Sequence, residues 1–326
     1  MTNNWDKIIE KYELANFLQS PKYGKMNEIL GDKMIVSDFD GKGWGMMIVR
    51  NAKRGRYLEI PCGPLTDWQN SDTLKAIFKE IKTVGQKEKC VFVRIRPQLL
   101  NTPENMKILS DLGLKKAPMH LAAEHTVIMD LTKSEEQLMK EMRRQTRYEV
   151  RRAEKLGIKV TDANTEEIFR EFRQVQAETA KRQNFVPPSL NTLLAEREAF
   201  GDDIKIYRAE TAEGEAIAYG MIIKCGKEGD YYEAASTDLN RKLPGAYALL
   251  WQAAKDLKAE GYKRFNLWGI APAGQTNHRY AGVTTFKTGF ANEITEFVPA
   301  HDLVLSKTHY AIDFAFETLR KKKRHL

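Results

Sequence analysis

One order of elements occurs twice in this chain, and it limits the fold more than any other feature. Residues 33–36 and 44–49 read as extended runs around Asp38-Phe39-Asp40-Gly41-Lys42-Gly43, a hairpin signal. A strand at 57–60 follows, then a helix at 71–84 with Leu74, Ile77, Phe78 and Ile81 on one face, then a strand at 90–95. The second half repeats the order. Strands at 204–209 and 216–225 lead through Gly226-Lys227-Glu228-Gly229 to a strand at 230–236. A helix opened by Pro244 carries Leu249, Leu250, Ala253 and Leu257 inward, and a strand at 262–268 closes the copy. Two copies of one α/β module, without sequence repetition, is the architecture this implies.

A length of 326 residues suits two domains of about 150. The expected division is 1–130, completed by 300–326, and 131–299. With 42% hydrophobic and 29% charged residues the chain builds cores and is not disordered. Residues 1–18 form a charged amphipathic helix, neither signal peptide nor membrane span, and no other apolar run approaches about 18 residues. A cytoplasmic monomer is expected. Cys62, Cys90 and Cys225 form no C-x-x-C pair and read as buried thiols. The six His residues have no metal-ligand spacing, so no metal is expected.

Residues 262–290 hold the most informative stretch. Phe265 and Leu267 alternate inward while Lys263, Arg264 and Asn266 face away. Gly269 breaks the strand. A polar loop with Pro272, Gly274, Asn277, His278 and Arg279 leads to Thr285-Phe286-Lys287-Thr288-Gly289-Phe290. Two readings fit Lys287: a surface cation between two core aromatics, or a cation on the floor of a cleft with Phe286 as a stacking surface.

Between the halves, residues 134–156 read as one helix opened by the capping box Ser134-Glu135-Glu136-Gln137 and closed by Gly157. Arg143, Arg147, Arg151 and Lys155 recur at intervals of four, one stripe along it. From Lys140 to Lys155 seven basic residues stand against three acidic ones, which fits either a solvated helix face or, as an uninterrupted basic stripe, contact with phosphates. The closing helix, apolar at Ile312, Ala315, Phe316 and Leu319, ends in Lys321-Lys322-Lys323-Arg324. Helix-dipole stabilisation accounts for that tail, and nucleic-acid or peripheral membrane contact is the other reading.

Four stretches together resemble the Fem/MurM-type peptidyltransferases. They are Leu18-Gln19-Ser20-Pro21-x-Tyr23-Gly24, Arg147-Tyr148-x-x-Arg151-Arg152-Ala153-Glu154-Lys155-x-Gly157, Glu178-Thr179-Ala180-Lys181-Arg182 and Phe286-Lys287-x-Gly289-Phe290. The resemblance implies an α/β (α+β) fold of two tandem GNAT-like acyltransferase domains, here with no helical-hairpin insertion. It implies transfer of an amino acid from aminoacyl-tRNA to an amine of a nucleotide- or lipid-linked muramyl-peptide precursor, with no cofactor beyond that donor. Lys287 would steady the tetrahedral oxyanion and Phe286 would support the terminal adenosine. Arg143, Arg147, Arg151 and Arg152 would meet tRNA phosphates, and Lys33 the acceptor's diphosphate. Arg182, Tyr231 and Tyr247 are the further candidates for substrate contact. The chain departs from the pattern at Pro187, Pro188 and Thr192, where relatives carry an Arg and a Tyr. Arg96 replaces an acidic residue and cannot act as a base, which favours proton exchange between the substrates themselves.

Two rivals stand beside this reading. An acyl-CoA-dependent N-acyltransferase would hold pyrophosphate on backbone N–H groups at Arg241-Lys242-Leu243-Pro244-Gly245-Ala246, where Pro244 lacks one donor. A non-catalytic RNA-binding protein would use only the basic helix and tail.

Overall fold

The computed structural model describes residues 5–324 apart from 184, 276, 277 and 279, and apart from the side chains of 6 and 322–324. In chain order, the first half holds α1 (Trp5–Lys11), α2 (Pro21–Ile29), β1 (Lys33–Ser37), β2 (Gly43–Ala52), β3 (Gly55–Pro61) and β4 (Leu65–Thr66). Then come α3 (Ser71–Lys87), β5 (Cys90–Arg96), α4 (Pro103–Asp111), β6 (Lys115–Lys116) and β7 (His125–Asp130). The middle holds α5 (Glu135–Glu141), α6 (Arg144–Lys155), β8 (Lys159–Ala163), α7 (Glu166–Gln183) and α8 (Leu190–Phe200). The remainder is β9 (Ile204–Glu210), β10 (Ala216–Cys225), β11 (Glu228–Ser236), α9 (Gly245–Ala259), β12 (Arg264–Gly269), α10 (Ala281–Lys287), β13 (Ile294–Glu296), β14 (His301–Val304) and α11 (Lys307–Arg324). The chain divides into two compact units: Met1–His125 with Ala271–Ala281 and Thr295–Leu326, and Thr126–Ile270 with Gly282–Ile294.

In the first unit the sheet runs β1-β2-β3-β5-β14-β6. The first three strands are an antiparallel meander, β5 lies parallel to β3 after the α3 crossover, and β14 is antiparallel to β5. Leu74, Ile77, Phe78 and Ile81 of α3 are buried against it, as their spacing predicts. The Leu18-Gln19-Ser20-Pro21 run is structural here. Ser20 caps α2, and the buried Gln19 amide bridges β2 and β3 just past their last paired residues, donating to Pro61 O at 2.7 Å and Met46 O at 3.1 Å while accepting Met46 N–H.

In the second unit β9, β10 and β11 form the meander, α9 crosses to a parallel β12, and β7 lies antiparallel to β12. Order and direction repeat those of the first sheet. Each sheet, however, takes in a strand from the other half of the sequence: β14 joins the first, between β5 and β6, and β7, expected to close the first domain, joins the second beside β12. The alternation in a strand reports that it is buried, not which sheet it enters, so this exchange was invisible in the sequence.

Two other expectations are corrected. Residues 134–156 are two helices, because Met142 and Arg143 both adopt extended dihedrals. On α11, Ile312, Ala315, Phe316 and Leu319 face solvent, while Tyr310 and Asp313 are buried. The inner face finds its partners in ion pairs: Arg94, buried in β5, bonds both oxygens of Asp302 at 2.8 Å and also Glu317 of α11. Cys62, Cys90 and Cys225 are buried, and no disulfide forms among the described residues.

Candidate active site

In the second unit β11 and β12 pair in parallel at only three positions, Glu228↔Arg264, Gly229↔Phe265 and Asp230↔Asn266. Beyond them both strands continue unpaired to each other and separate. The equivalent strands of the first unit, β3 and β5, stay paired to their ends at Pro61↔Arg96. There Arg96 is buried, donating to Cys62 Sγ at 2.8 Å and lying over the Phe297 ring. The two copies therefore differ where it matters: one sheet is zipped and plugged, the other opens into a slot.

Local chemistry stabilises that opening. Asn266, expected to face away, is buried in the middle of the sheet. Its Oδ1 accepts the Trp268 N–H at 2.9 Å and the Thr126 hydroxyl at 2.5 Å, and its Nδ2 donates to Glu228 at 3.2 Å. The side chain thus supplies the ladder bond that a neighbouring strand no longer offers, and Trp268 can hold a left-handed φ of 62°. On the other edge, Thr179 and Arg182 of α7 both donate to Ser236 O at the end of β11. The Glu178-Thr179-Ala180-Lys181-Arg182 run is thereby explained in part as a clamp on this strand.

Lys287 ends α10 and is 7% exposed, so the surface reading fails. Its Nζ donates to Gly269 O at 3.0 Å, at the open end of β12, and lies 5.6 Å from the Tyr231 ring centre on β11. It spans the mouth of the slot. Burial pulls its pKa down to about 7, so near neutral pH this amine exchanges between its ammonium and neutral forms. Phe286 faces elsewhere on the same turn, in a cluster with Tyr247 at 5.0 Å and Phe290 at 5.4 Å. Gly289 explains the spacing of the motif. A Cβ there would lie 2.2 Å from Thr146 Oγ1 and 3.0 Å from Arg143 Nη2, so only glycine lets this turn meet the start of α6. The contact is closed by Arg143 N–H to Gly289 O at 2.8 Å and Arg143 Nη2 to Thr285 O at 2.6 Å.

The basic stripe is consequently not the expected one. Arg143 caps α6 and is tied to the Lys287 turn. Arg147 holds the end of α5 through Lys140 O and Met142 O, and Arg152 binds Glu149 and Lys242 O. Among the expected four, Arg151 is exposed with no partner among the described residues. The outward row of α6 is instead Arg144, Tyr148, Arg151 and Lys155, with Tyr148 57% exposed. Only the break at Met142 and Arg143 decides which row faces out. Lys33 lies in the first unit, exposed and paired with Glu88 at 2.7 Å. Asn277 and Arg279 lie outside the described residues.

A pair of carboxyls was missed by sequence reasoning. Glu233 follows Tyr231 by two residues on β11, but a bulge at Tyr232 sets their cross-strand partners at Met221 and Ile222, so the two side chains face opposite sides of the sheet. Glu233 accepts from Gln176 Nε2 of α7 at 2.6 Å, with Arg173 of α7 also acting on it, and its own charge acts on Glu196 of α8. Burial pushes Glu233 up to about 7, and holds the buried Glu196 well above the carboxylate range, with Glu233's charge adding to it. Glu196 Oε2 and Gln176 Oε1 are buried with no hydrogen-bond partner among the described residues, leaving bare acceptors around Glu233. Nothing in the sequence marks this pair, since Glu196 and Glu233 stand 37 positions apart.

The pyrophosphate reading of residues 241–246 meets an occupied turn. The N–H groups of Lys242, Leu243, Gly245 and Ala246 bond Leu239 O, Leu239 O, Leu243 O and Asn240 Oδ1, and Pro244 has none to offer. Among the described residues no group of three or more His, Cys, Asp or Glu could hold a metal ion.

Comparison with known proteins bears on the fold. The FemAB family profile matches residues 2–111, 112–215 and 202–318. Aminoacyltransferase FemA of Staphylococcus epidermidis is 23% identical over 353 aligned positions, covering 82% of this chain and 84% of its own. FemA of Staphylococcus aureus is 22% identical over 352, covering 82% and 83%. The crystal structure of FemX superposes with a TM-score of 0.85 at 15% identity, over 96% of this chain and 98% of the other. A tandem GNAT protein from the clavulanic acid pathway gives 0.52 at 9% identity, over 81% and 79%, which bears out the expected tandem GNAT-like fold.

Proposed function

The chain belongs to the FemAB family, and from that premise we propose that it moves an amino acid from aminoacyl-tRNA to an amine of a peptidoglycan stem peptide, in the cytoplasm and without a cofactor. The observation that carries this reading is the buried Lys287 ammonium spanning a slot that only one of the two sheets opens. An ester is already activated, so the protein must align the reactants, accept a proton and stabilise an oxyanion. Lys287 serves the oxyanion from the Tyr231 side. The three-ring cluster of Phe286, Tyr247 and Phe290 lines the donor's approach, and Arg182 and Lys33 remain candidates for acceptor contact. The occupied turn at 242–246 disfavours acyl-CoA as donor.

Glu233 is the proton acceptor in this scheme, entering from the opposite face. The amine attacks the ester carbon, a C–N bond forms, and its N–H proton passes to the Glu233 carboxylate. Collapse of the intermediate breaks the C–O bond to the ribose, whose oxygen takes that proton back from Glu233. Glu233→Gln is expected to lower kcat by about 10²–10⁴-fold and to remove the acid limb near pH 7, with acceptor KM little changed. A rate and pH profile equal to those of the unaltered chain would exclude this role.

For the donor, Arg144, Tyr148 and Arg151 present cations around an exposed ring, an arrangement suited to a nucleic-acid strand. Replacing Arg144 and Arg151 by Ala should flatten the slope of log Kd for tRNA against log salt by about 1 per residue, and leave acceptor affinity unchanged. The function as a whole is tested by incubating the protein with a charged-tRNA pool and each soluble or lipid-linked acceptor, then weighing the stem peptide by mass spectrometry. An unchanged stem with every aminoacyl-tRNA would refute it.

A further inference from the structure

Both acidic residues of α11 face the first sheet. Asp313 pairs with Arg54 at 2.6 Å and Glu317 with Arg94 at 2.8 Å. The outer face is left with no negative charge. It presents Ile312, Phe316 and Leu319, of which Phe316 is 54% and Leu319 64% exposed. Ile312, Ala315, Phe316 and Leu319 recur at helical spacing, so they form one apolar stripe. The sequence then continues as Arg320-Lys321-Lys322-Lys323-Arg324, and the Arg54 guanidinium lies 4.8 Å over the Phe316 ring.

A stripe of this kind left in water marks a contact surface. Charge decides the occupant. Five consecutive cations need anionic partners, and an anionic surface satisfies them and the stripe together, which the stripe of a second copy does not. Among the described residues no helix is long and apolar enough to cross a membrane. We propose that the outer face of α11 docks in the plane of an anionic lipid bilayer, with Phe316 and Leu319 at the acyl boundary and the basic tail among the headgroup phosphates. Ion pairing on the inner face makes this arrangement possible: it turns the helix's acids inward and its apolar residues out.

The test is co-sedimentation of the full chain with vesicles of phosphatidylcholine alone or mixed with phosphatidylglycerol. Binding is expected to the mixed vesicles, with at least about 10-fold weaker binding to the neutral ones. Phe316→Glu/Leu319→Glu should reduce binding to mixed vesicles by about 10-fold or more, and Lys321→Gln/Lys323→Gln by roughly 5-fold per cation removed. Phe316 and Leu319 lie on the exposed side, and an unchanged circular dichroism spectrum of each variant separates lost docking from lost folding. Failure of the unaltered chain to bind mixed vesicles would overturn the proposal, as would full binding by the Phe316/Leu319 variant. A dimer in sedimentation velocity that this variant dissociates would assign the face to a second copy instead, and would overturn it too.

Discussion

Lys287→Met is expected to abolish most transfer while making the folded protein more stable at neutral pH. The activity loss should be about 10²–10³-fold in kcat, the usual effect of removing one oxyanion donor. The stability gain follows from burial. In the unfolded chain this lysine titrates near 10.5, and in the folded chain near 7. Between those values the unfolded state binds a proton that the folded state lacks, so stability rises with pH across the window. Below about pH 7 the ammonium must be carried inside, and the full penalty applies. From about pH 6 to about pH 10 this one residue should add on the order of 4 kcal/mol of stability, a dependence that Met removes. Loss of the bond to Gly269 O returns about 1–3 kcal/mol of cost, so the net gain near pH 6 is smaller. Urea unfolding of both proteins at several pH values measures the difference. A difference that does not change with pH would mean the ammonium is not buried in solution.

Arg94→Ala should be the most damaging single change in the first unit. Asp302 is fully buried, and burial already raises its pKa despite two bonds from Arg94. Without the guanidinium it keeps, among the described residues, only the Tyr310 hydroxyl at 3.0 Å, and Glu317 of α11 loses Arg94 as well. Breaking a buried pair from one side costs about 3–5 kcal/mol, which for a unit of this size lowers Tm by about 10 °C. Replacing both partners by apolar residues, Arg94→Met with Asp302→Leu, should recover much of that loss, because no charge is then stranded. Equal destabilisation by the single and double variants would show that packing, and not the stranded carboxylate, sets the cost. The network also fixes β14 and α11, the last elements of the chain, onto a sheet built mainly from its first hundred residues.

Much of the fold was legible because local patterns and global structure agree. The hairpins, the inward faces of α3 and α9, and the duplicated order all follow from spacing and turn chemistry. Phe286-Lys287-x-Gly289-Phe290 was legible as a cluster, and Gly289 proves to be required by the approach of Thr146 and Arg143. Where expectation failed, a distant partner had overridden a local pattern. The apolar stripe of α11 points outward because Arg54 and Arg94, more than 200 residues earlier, claim its acids. Arg143 left the helical stripe because Gly289 O and Thr285 O take its donors.

By itself, then, the sequence determined most element types and the duplication, since those depend on periodicity and side-chain type within about ten positions. Only the tertiary structure decided that one sheet opens and the other is plugged by Arg96, that the charge of Glu233 acts on the buried Glu196, and that β7 and β14 change sheets. Each of these depends on strand pairing or burial between residues far apart in the chain, where free energy is set by which groups lose water together and not by their order.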